Sequence, residues 1–393
     1  MTTPFRHFRH FRLSAVAIAA LLFAGQAGAQ STPIKVGLML PATGTFANLG
    51  AMIEHGFKLY VAEQGGKLEG REIAYSKVDD ESDPSKASDN INKLIKRDQV
   101  DVVIGTVHSG VALAMAKVAK ETGTLLIVPN GGANAITGAM CAKNIFRSSF
   151  SSWQSGYAMG QVAAQRGHKK ISTITWNYAF GNESVAAFTE GFEKAGGKVI
   201  QSLTLPFPNV EFQALVTQIA AEKPDAVYAF FAGGGAVKFV KDYAAAGLNK
   251  SMPLYGPGFL TDGTLEAQGQ AAQGMLTTLH YADNLNTPRD NAFRLNFAKA
   301  YKLNADVYAV QGYDAAQMLH AGLKAAGGDI AKQEKVIAGM ATAVIDSPRG
   351  KFRMSPSHNP IQDVYLRQVN GNNNEFKGIA MKALADPARG CKM

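Results

Sequence analysis

The sequence predicts an α/β protein built as two doubly wound parallel-sheet lobes, and three observations carry that expectation. Short β-branched runs alternate with helical patterns along most of the chain, as parallel sheets with right-handed crossovers require. One supersecondary unit occurs twice: VDVVIGTVHSGVALAMAKVAKETGTLLIVPNG (100–131) resembles PDAVYAFFAGGGAVKFVKDYAAAGLNKSMPLYGPG (224–258). Each runs through Asp, a buried strand, a small or polar turn, an apolar helix, Gly, and a strand ending near Pro and Gly. Finally, no long Pro- or Ser-rich linker divides the chain and helical patterns return late, so the chain is expected to cross between lobes more than once. Such crossings make a hinge, not a tether.

The elements follow in order. IKVGLML (34–40) reads as a strand before a helix through 53–62, and EIAYSKVDD (72–80) as a strand before a helix from Pro84. DVVIG (101–105) precedes a helix over 109–120, and TLLIVP (124–129) is the next strand. After FRSSFSSW (146–153) the alternation restarts with a helix over 154–166, strand ISTITW, a helix over 182–195, strand KVIQSLTL, a helix over 211–222, strand DAVYAFF and a helix over 235–246. Past Tyr281 come helical patterns at 288–302 and 308–326, then extended stretches at 352–354 and 361–369. The first lobe is assigned 30–148 with 281–350, and the second 149–280 with 351–393.

Residues 1–29 read as a secretory signal. Arg6, Arg9 and Arg12 stand without an acid, LSAVAIAALLFAG follows, and Ala27-Gly28-Ala29 supplies small residues at the A-x-A positions, with cleavage before Gln30. No later run reaches transmembrane length, so the mature chain is expected to be exported and not to span a membrane. Removing the signal lowers the formal charge of +9 by the three arginines, and the remaining Lys and Arg are scattered among acids. Without a basic stripe interleaved with aromatics, nucleic-acid binding is excluded. Cys141 and Cys391 lie far apart without metal spacing. In an oxidising compartment they can close one disulfide tying the C-terminal tail to the body; the alternative is two unpaired thiols.

Chemistry concentrates in VVIGTVHSGVALAM (102–115), where a buried strand turns into a helix. His108 and Ser109 are adjacent, and successive side chains diverge, so they make a poor base and nucleophile. The Gly-x-Ser-x-Gly elbow is absent and no orienting acid is identifiable, which argues against a hydrolase. Neither the glycines at 105 and 110 nor those at 233–235 lead into the Lys-Ser/Thr of a phosphate loop, and no Gly-x-Gly-x-x-Gly follows a strand. The eight histidines are dispersed, with His7 and His10 in the signal, so neither metal nor cofactor is expected. An anion at a helix start remains, held by the first-turn N–H groups and the Ser109 hydroxyl. PNGGANAIT (129–137) offers a second set of backbone donors at Gly131 and Gly132. Ser109 is either a plain N-cap or a ligand contact. Two such turns after neighbouring strands, with a facing wall at 233–235, favour a carboxylate site.

KVGLMLPATGTFANLGAMIEHGFKLYVAEQGG, VDDESDPSKASDNINKLI, VVIGTVHSGVALAMAKVAKETGTLLIVPNGGANAIT and GYDAAQ together resemble the periplasmic solute-binding proteins of ABC importers, in the Leu/Ile/Val-binding branch. The resemblance covers essentially the whole mature chain. It implies the type I periplasmic binding fold, two lobes joined by three crossovers that close on a small carboxylate ligand. It also implies a periplasmic location, membrane permease subunits as partners and no catalysis. Residue by residue, the family's carboxylate-binding serine matches Ser109, and its backbone-donating loop matches Gly131, Gly132 and Ala133. The first-strand loop matches 43–49, with Phe46 offering an aromatic face where the family's usual aromatic is absent at Leu49. On the second lobe Phe180, Phe231 and Ala232 match wall positions, and the late tyrosine matches Tyr313.

Two departures stand out. Amino-acid binders hold the ligand's ammonium with an acid in the loop that here reads GPGFLTD, and Gly258 occupies its place. A buried ammonium without a carboxylate is costly. Unless Asp262, Asp314 or Glu183 substitutes, the ligand has a carboxylate and an apolar body but no amine. That favours an aromatic acid of the benzoate kind; the alternatives are a branched-chain amino acid and a sensory ligand domain. The other departure is His108, where amino-acid binders have a disulfide cysteine. Its open roles are core residue, supporting donor and ligand contact.

Overall fold

The first sheet grows outward from β1 (Ile34–Leu40), whose side chains are buried on both faces, as a central parallel strand requires. The computed structural model describes residues 1–2 and 32–393. The signal segment and its cleavage site therefore fall almost wholly outside the described residues. After β1 come α1 (Ala47–Glu63), the hairpin of β2 (Lys67–Leu68) with β3 (Arg71–Asp79), and α2 (Ala87–Asn92). Next are β4 (Val102–Ile104), α3 (Ser109–Thr122), β5 (Leu125–Val128) and β6 (Ile145–Arg147). The order is β2-β3-β1-β4-β5-β6, parallel except for the hairpin.

The second sheet begins after a capping box. The Ser151 hydroxyl accepts from the Gln154 amide while the Gln154 side chain accepts from the Ser151 amide, fixing the start of α4 (Ser152–Gln165). Then follow β7 (Lys170–Asn177), α5 (Ala179–Lys194), β8 (Lys198–Pro206), α6 (Gln213–Glu222) and β9 (Ala226–Phe230). α7 (Gly233–Ala245), β10 (Leu254–Pro257), α8 (Leu265–Gln268) and β11 (Leu276–Leu279) complete the alternation. The chain then returns, and α9 (Pro288–Tyr301), α10 (Val307–Ala325) and α11 (Gln333–Thr342) pack onto the first lobe, α10 lying along α1. A Cβ on Gly312 would lie 1.9 Å from the Ile53 carbonyl oxygen, so these two helices meet backbone to backbone. β12 (Val344–Ile345), β13 (Phe352–Met354), β14 (Pro360–Asn370) and β15 (Asn373–Leu384) join the second sheet.

Several elements depart from the sequence reading: β2, β6, β11, α8 and α11 have no counterpart in it, and the C-terminal strands differ further. β12 pairs with β13 in the second sheet, although 344–345 fall in the stretch assigned to the first lobe. β15 has no counterpart in the reading: register shifts interrupt its pairing with β14 and its burial does not alternate, so it carries no two-residue period. Among the described residues no helix is long and apolar enough to cross a membrane.

The strand orders say where a ligand site belongs. In the first sheet successive strands leave β1 on one side for β3 and on the other for β4; in the second, β7 is flanked by β8 and β9 in the same way. Loops at such switch points diverge and leave a crevice at the carboxyl ends of the strands. The four loops concerned hold Phe46, His108 and Ser109 on one lobe, and Tyr178, Phe180, Phe231 and Ala232 on the other.

Candidate functional site

The β4–α3 turn is buried: Thr106 is 0 % exposed, Ser109 1 % and His108 3 %. The structure overturns one expectation here. Ser109 is not the cap of α3; His108 is, its extended backbone placing Nδ1 to accept from the amides of Gly110 (3.0 Å) and Val111 (3.4 Å). An accepting Nδ1 puts the proton of the neutral ring on Nε2, and burial pushes the imidazole down to about 4. His108 is therefore neither inert core nor charged at neutral pH, but a neutral N–H donor. Its Nε2 and the Ser109 Oγ are both buried with no partner among the described residues. Nδ1 being spent on the helix, it cannot serve as the base of a Ser–His couple.

The loop after β5 supplies the second donor set, with a correction. The Gly131 amide is taken by the Thr106 carbonyl (2.8 Å), so it is a structural bond and not a free donor. The amides of Gly132 and Ala133 donate to no other group among the described residues. A Cβ on Gly132 would stand 2.5 Å from the Phe180 ring and 2.9 Å from that of Phe150, so only glycine lets these rings approach the peptide.

Aromatic rings close the cleft across the lobes. His108 stacks on Tyr178 (4.7 Å between centroids) and meets Phe207 (4.8 Å), which also lies 5.5 Å from Phe46. Phe180 packs on Phe230 (4.3 Å), Phe259 (5.7 Å) and Phe150 (6.0 Å). Ala232 precedes Gly233, whose Cβ position is 2.7 Å from the Thr45 carbonyl oxygen, so this turn touches the first-strand loop. Phe231 points instead into the second lobe's core, against Phe212 (4.8 Å) and Phe239 (4.7 Å), and is removed from the candidate site.

Tyr313 is also corrected. Its hydroxyl donates to Glu63 (2.5 Å) and its ring packs on Tyr60 and Phe293, away from the cleft. Tyr308 takes the cleft position five residues earlier, close to half a helical turn away around α10. It lies 6.0 Å from Phe259 and 3.7 Å from the Cβ position of Gly263, and its hydroxyl is buried without a partner among the described residues. Sequence reasoning missed Tyr308, Tyr178, Phe207 and Phe150. Tyr178 and Phe207 follow strands β7 and β8 directly, a signal readable only once the sheet order is known.

The surroundings of Gly258 are closed by a buried ion pair. A Cβ there would lie 2.2 Å from Nη2 of Arg367, a fully buried guanidinium. Arg367 pairs with Asp262 (2.7 Å) and donates to the Tyr281 carbonyl (3.0 Å) and the Thr277 hydroxyl. Burial raises Asp262 to about 6 even against that cation. The other two candidate acids are engaged as well: Asp314 accepts from Arg349 (2.7 Å) and Ser347 (2.9 Å), and Glu183 from the Asn134 amide (2.7 Å). Cys141 and Cys391 form a disulfide with Cα atoms 5.5 Å apart. Among the described residues no group of three or more His, Cys, Asp or Glu is placed to hold a metal ion.

Comparison with known proteins fits this geometry. A family model described as periplasmic binding protein matches residues 33–375. A "Leu/Ile/Val-binding protein homolog 6" of Brucella melitensis is 30% identical, the match covering 91% of this chain and 93% of that one. Among solved structures, an ABC-transporter solute-binding protein from R. palustris in complex with benzoate is 53% identical with a TM-score of 0.90, covering 92% of this chain and 100% of that one. A solute-binding protein from Rhodopseudomonas palustris BisB5 in complex with 3,4-dihydroxybenzoic acid is 32% identical with a TM-score of 0.85, covering 90% and 99%.

Proposed function

The chain belongs to the periplasmic binding protein family, and we propose that it captures an aromatic carboxylate of the benzoate kind between its lobes and delivers it to the permease of an ABC importer. The carrying observation is Gly258 seated on Arg367 where an amino-acid binder would need a free acid. The benzoate complex of a 53% identical relative supports the same ligand class. In this reading the ligand's carboxylate accepts from Ser109, His108 and the amides of Gly132 and Ala133. Its ring enters the box formed by Phe150, Tyr178, Phe180 and Phe207. Hydrogen bonds to a charged group contribute about 1.5–3 kcal/mol each, and burying the ring adds about 2 kcal/mol.

The mechanism is closure. A ligand shifts an open–closed equilibrium only by as much as it prefers the closed state. The first lobe supplies the donors and the second the facing rings, so only a ligand reaching both stabilises the closed form. In this reading the site acts as a receptor: Nδ1 of His108 is committed to α3, and the Ser109 hydroxyl serves the ligand as a hydrogen-bond donor. Export through residues 1–29 to the periplasm belongs to the same proposal.

A branched-chain amino acid is the second reading, and it rests on Asp306. This carboxylate caps α10 (3.0 Å to the Ala309 amide), lies beside Gly263 and Tyr308, and is raised by burial to about 7. A carboxylate so readily protonated is a weak ammonium partner. A thermal-shift and calorimetric screen separates the readings: benzoate at 100 times its Kd should stabilise the protein by about 2.7 kcal/mol, and leucine should not. Stabilisation by leucine without benzoate would overturn the aromatic-acid assignment.

A further inference from the structure

Arg147, the last residue of β6, is fully buried, yet among the described residues no carboxylate bonds its guanidinium. Nη1 donates to the carbonyls of Gly131 (2.9 Å) and Phe150 (3.0 Å), and Nη2 to the Ala133 carbonyl (2.6 Å) and the Thr137 hydroxyl (3.3 Å), while Nε has no partner. A buried cation is costly unless it is compensated, and desolvation pushes this one down to about 10, still charged at neutral pH.

What Arg147 holds is the back of the donor loop. In a trans peptide the C=O and the following N–H point in opposite directions, and the peptides of 131–134 are all trans. The Gly131 carbonyl is drawn to Arg147, which turns the Gly132 amide the other way. The Gly132 carbonyl accepts from the Ser152 amide and hydroxyl (2.7 Å each), which turns the Ala133 amide away from α4. The Ala133 carbonyl returns to Arg147, and the Asn134 amide beyond it donates to the Glu183 carboxylate at 2.7 Å. At that third peptide the full relay is present: guanidinium, carbonyl, amide, carboxylate. At Gly132 and Ala133 the amides are aimed and have no acceptor among the described residues.

We propose that Arg147, with Ser152, is a positioning residue for the ligand's carboxylate. By gripping the Gly131 carbonyl Arg147 aims the Gly132 amide, and Ser152 aims the Ala133 amide through the Gly132 carbonyl. Arg147's second hold, on the Ala133 carbonyl, fixes the far end of the loop, and the ligand completes at Gly132 and Ala133 the charge pairing that Glu183 makes at Asn134. This rests on the aromatic-carboxylate reading. A bonded guanidinium polarises the peptide and strengthens the donor on its far side, so Arg147 acts on the ligand through the 131–132 peptide without touching it, while its bond to the 133–134 peptide anchors the loop against Glu183. Its planar fork spans both carbonyls, which a lysine ammonium cannot do.

The test compares a charged ligand with its neutral isostere. In Arg147→Lys the affinity for benzoate should fall about tenfold or more, while that for benzamide changes by less than about threefold. Equal losses for both ligands would mean that Arg147 only supports the fold, and would overturn the inference. If Arg147→Lys shows no cooperative thermal transition, amide NMR of the unmodified protein decides. On adding benzoate the Gly132 and Ala133 amide protons should move downfield while that of Gly131, bonded to Thr106, stays. Stationary Gly132 and Ala133 signals in a protein that binds benzoate overturn this inference alone. Failure of the unmodified protein to bind any aromatic acid overturns the parent reading, and this inference with it.

Discussion

The two walls of the cleft are built on opposite principles. The first-lobe wall presents polar groups that bond nothing among the described residues: Nε2 of His108 and Oγ of Ser109 are buried there without a partner. On the second-lobe wall the facing rings pack on one another, and its deepest charges, Arg367 and Asp262, are bonded together. An unsatisfied buried donor is a cost that folding alone does not repay, whereas a paired and hydrogen-bonded charge is complete without a ligand. In the proposed reading the first lobe supplies affinity, and the second a shape that the ligand must fit for closure to be favourable.

The largest effect should come from breaking the ion pair of the second-lobe wall. Arg367→Met leaves Asp262 buried without its cation and should cost about 3–5 kcal/mol of stability, seen as a lower denaturant midpoint at unchanged slope. A variant that unfolds at the wild-type midpoint would show that this wall does not depend on its ion pair.

On the opposite wall the corresponding effect follows from pH. His108 titrates near 4 when folded and at the ordinary 6.5 when unfolded. Above 6.5 both states are neutral. As pH falls towards 4 the unfolded chain takes up a proton that the folded chain refuses, so stability present above 6.5 is lost, by about 3 kcal/mol across the window. Asp80 and Asp262 (about 6) and Asp306 (about 7), all raised by burial, have the opposite sign, losing stability as pH rises from 3.8. His108→Asn keeps a side-chain acceptor for the α3 amides and removes only the imidazole. The difference between the two stability–pH curves isolates its share, and parallel curves would mean that His108 is not held neutral.

What the sequence made legible follows the same division. Strand–helix alternation located both sheets because their strands are continuous apolar runs, and it located the β4–α3 turn because polar residues interrupt such a run at Thr106. It could not tell that His108 and not Ser109 caps α3, since either residue type can accept from the first-turn amides. Nor could it choose between Tyr308 and Tyr313, because helical spacing gives relative direction and not which face meets the cleft. The grip of Arg147 on Gly131 and Ala133 joins residues across a 14–16 residue separation with no periodic signal. Gly258 was legible as a departure from a pattern, but the guanidinium that fills its space lies over a hundred residues away in β14.

A smaller effect is expected from Ser109→Ala, and it should appear in binding alone. Loss of one hydroxyl donor to a carboxylate should weaken benzoate by about tenfold or more, corresponding to about 1.5–3 kcal/mol. The unliganded protein should be no less stable, because the deleted hydroxyl had no partner to lose. Unchanged affinity in calorimetry would remove Ser109 from the site. A large stability loss would mean that the first-lobe wall is as self-satisfied as the second.

The smallest effect, and the sharpest test of the contrast, is Tyr308→Phe. Tyr308 stands on α10, which packs with the first lobe, yet its ring lies against Phe259 of the second, so it belongs to both walls. Burial holds its phenol well above the ordinary range, so it is a neutral hydroxyl. If it follows first-lobe logic, its unpartnered hydroxyl is a ligand contact. Removing it should then leave benzoate within about threefold while weakening a ring-hydroxylated benzoate by about 1 kcal/mol, the worth of one neutral hydrogen bond. If it follows second-lobe logic, the hydroxyl is incidental to a packed ring, and both acids should respond alike. The ratio of the two affinities, measured in wild type and variant, distinguishes these outcomes even if the absolute affinities drift, because any general loosening of the cleft acts on both acids and cancels.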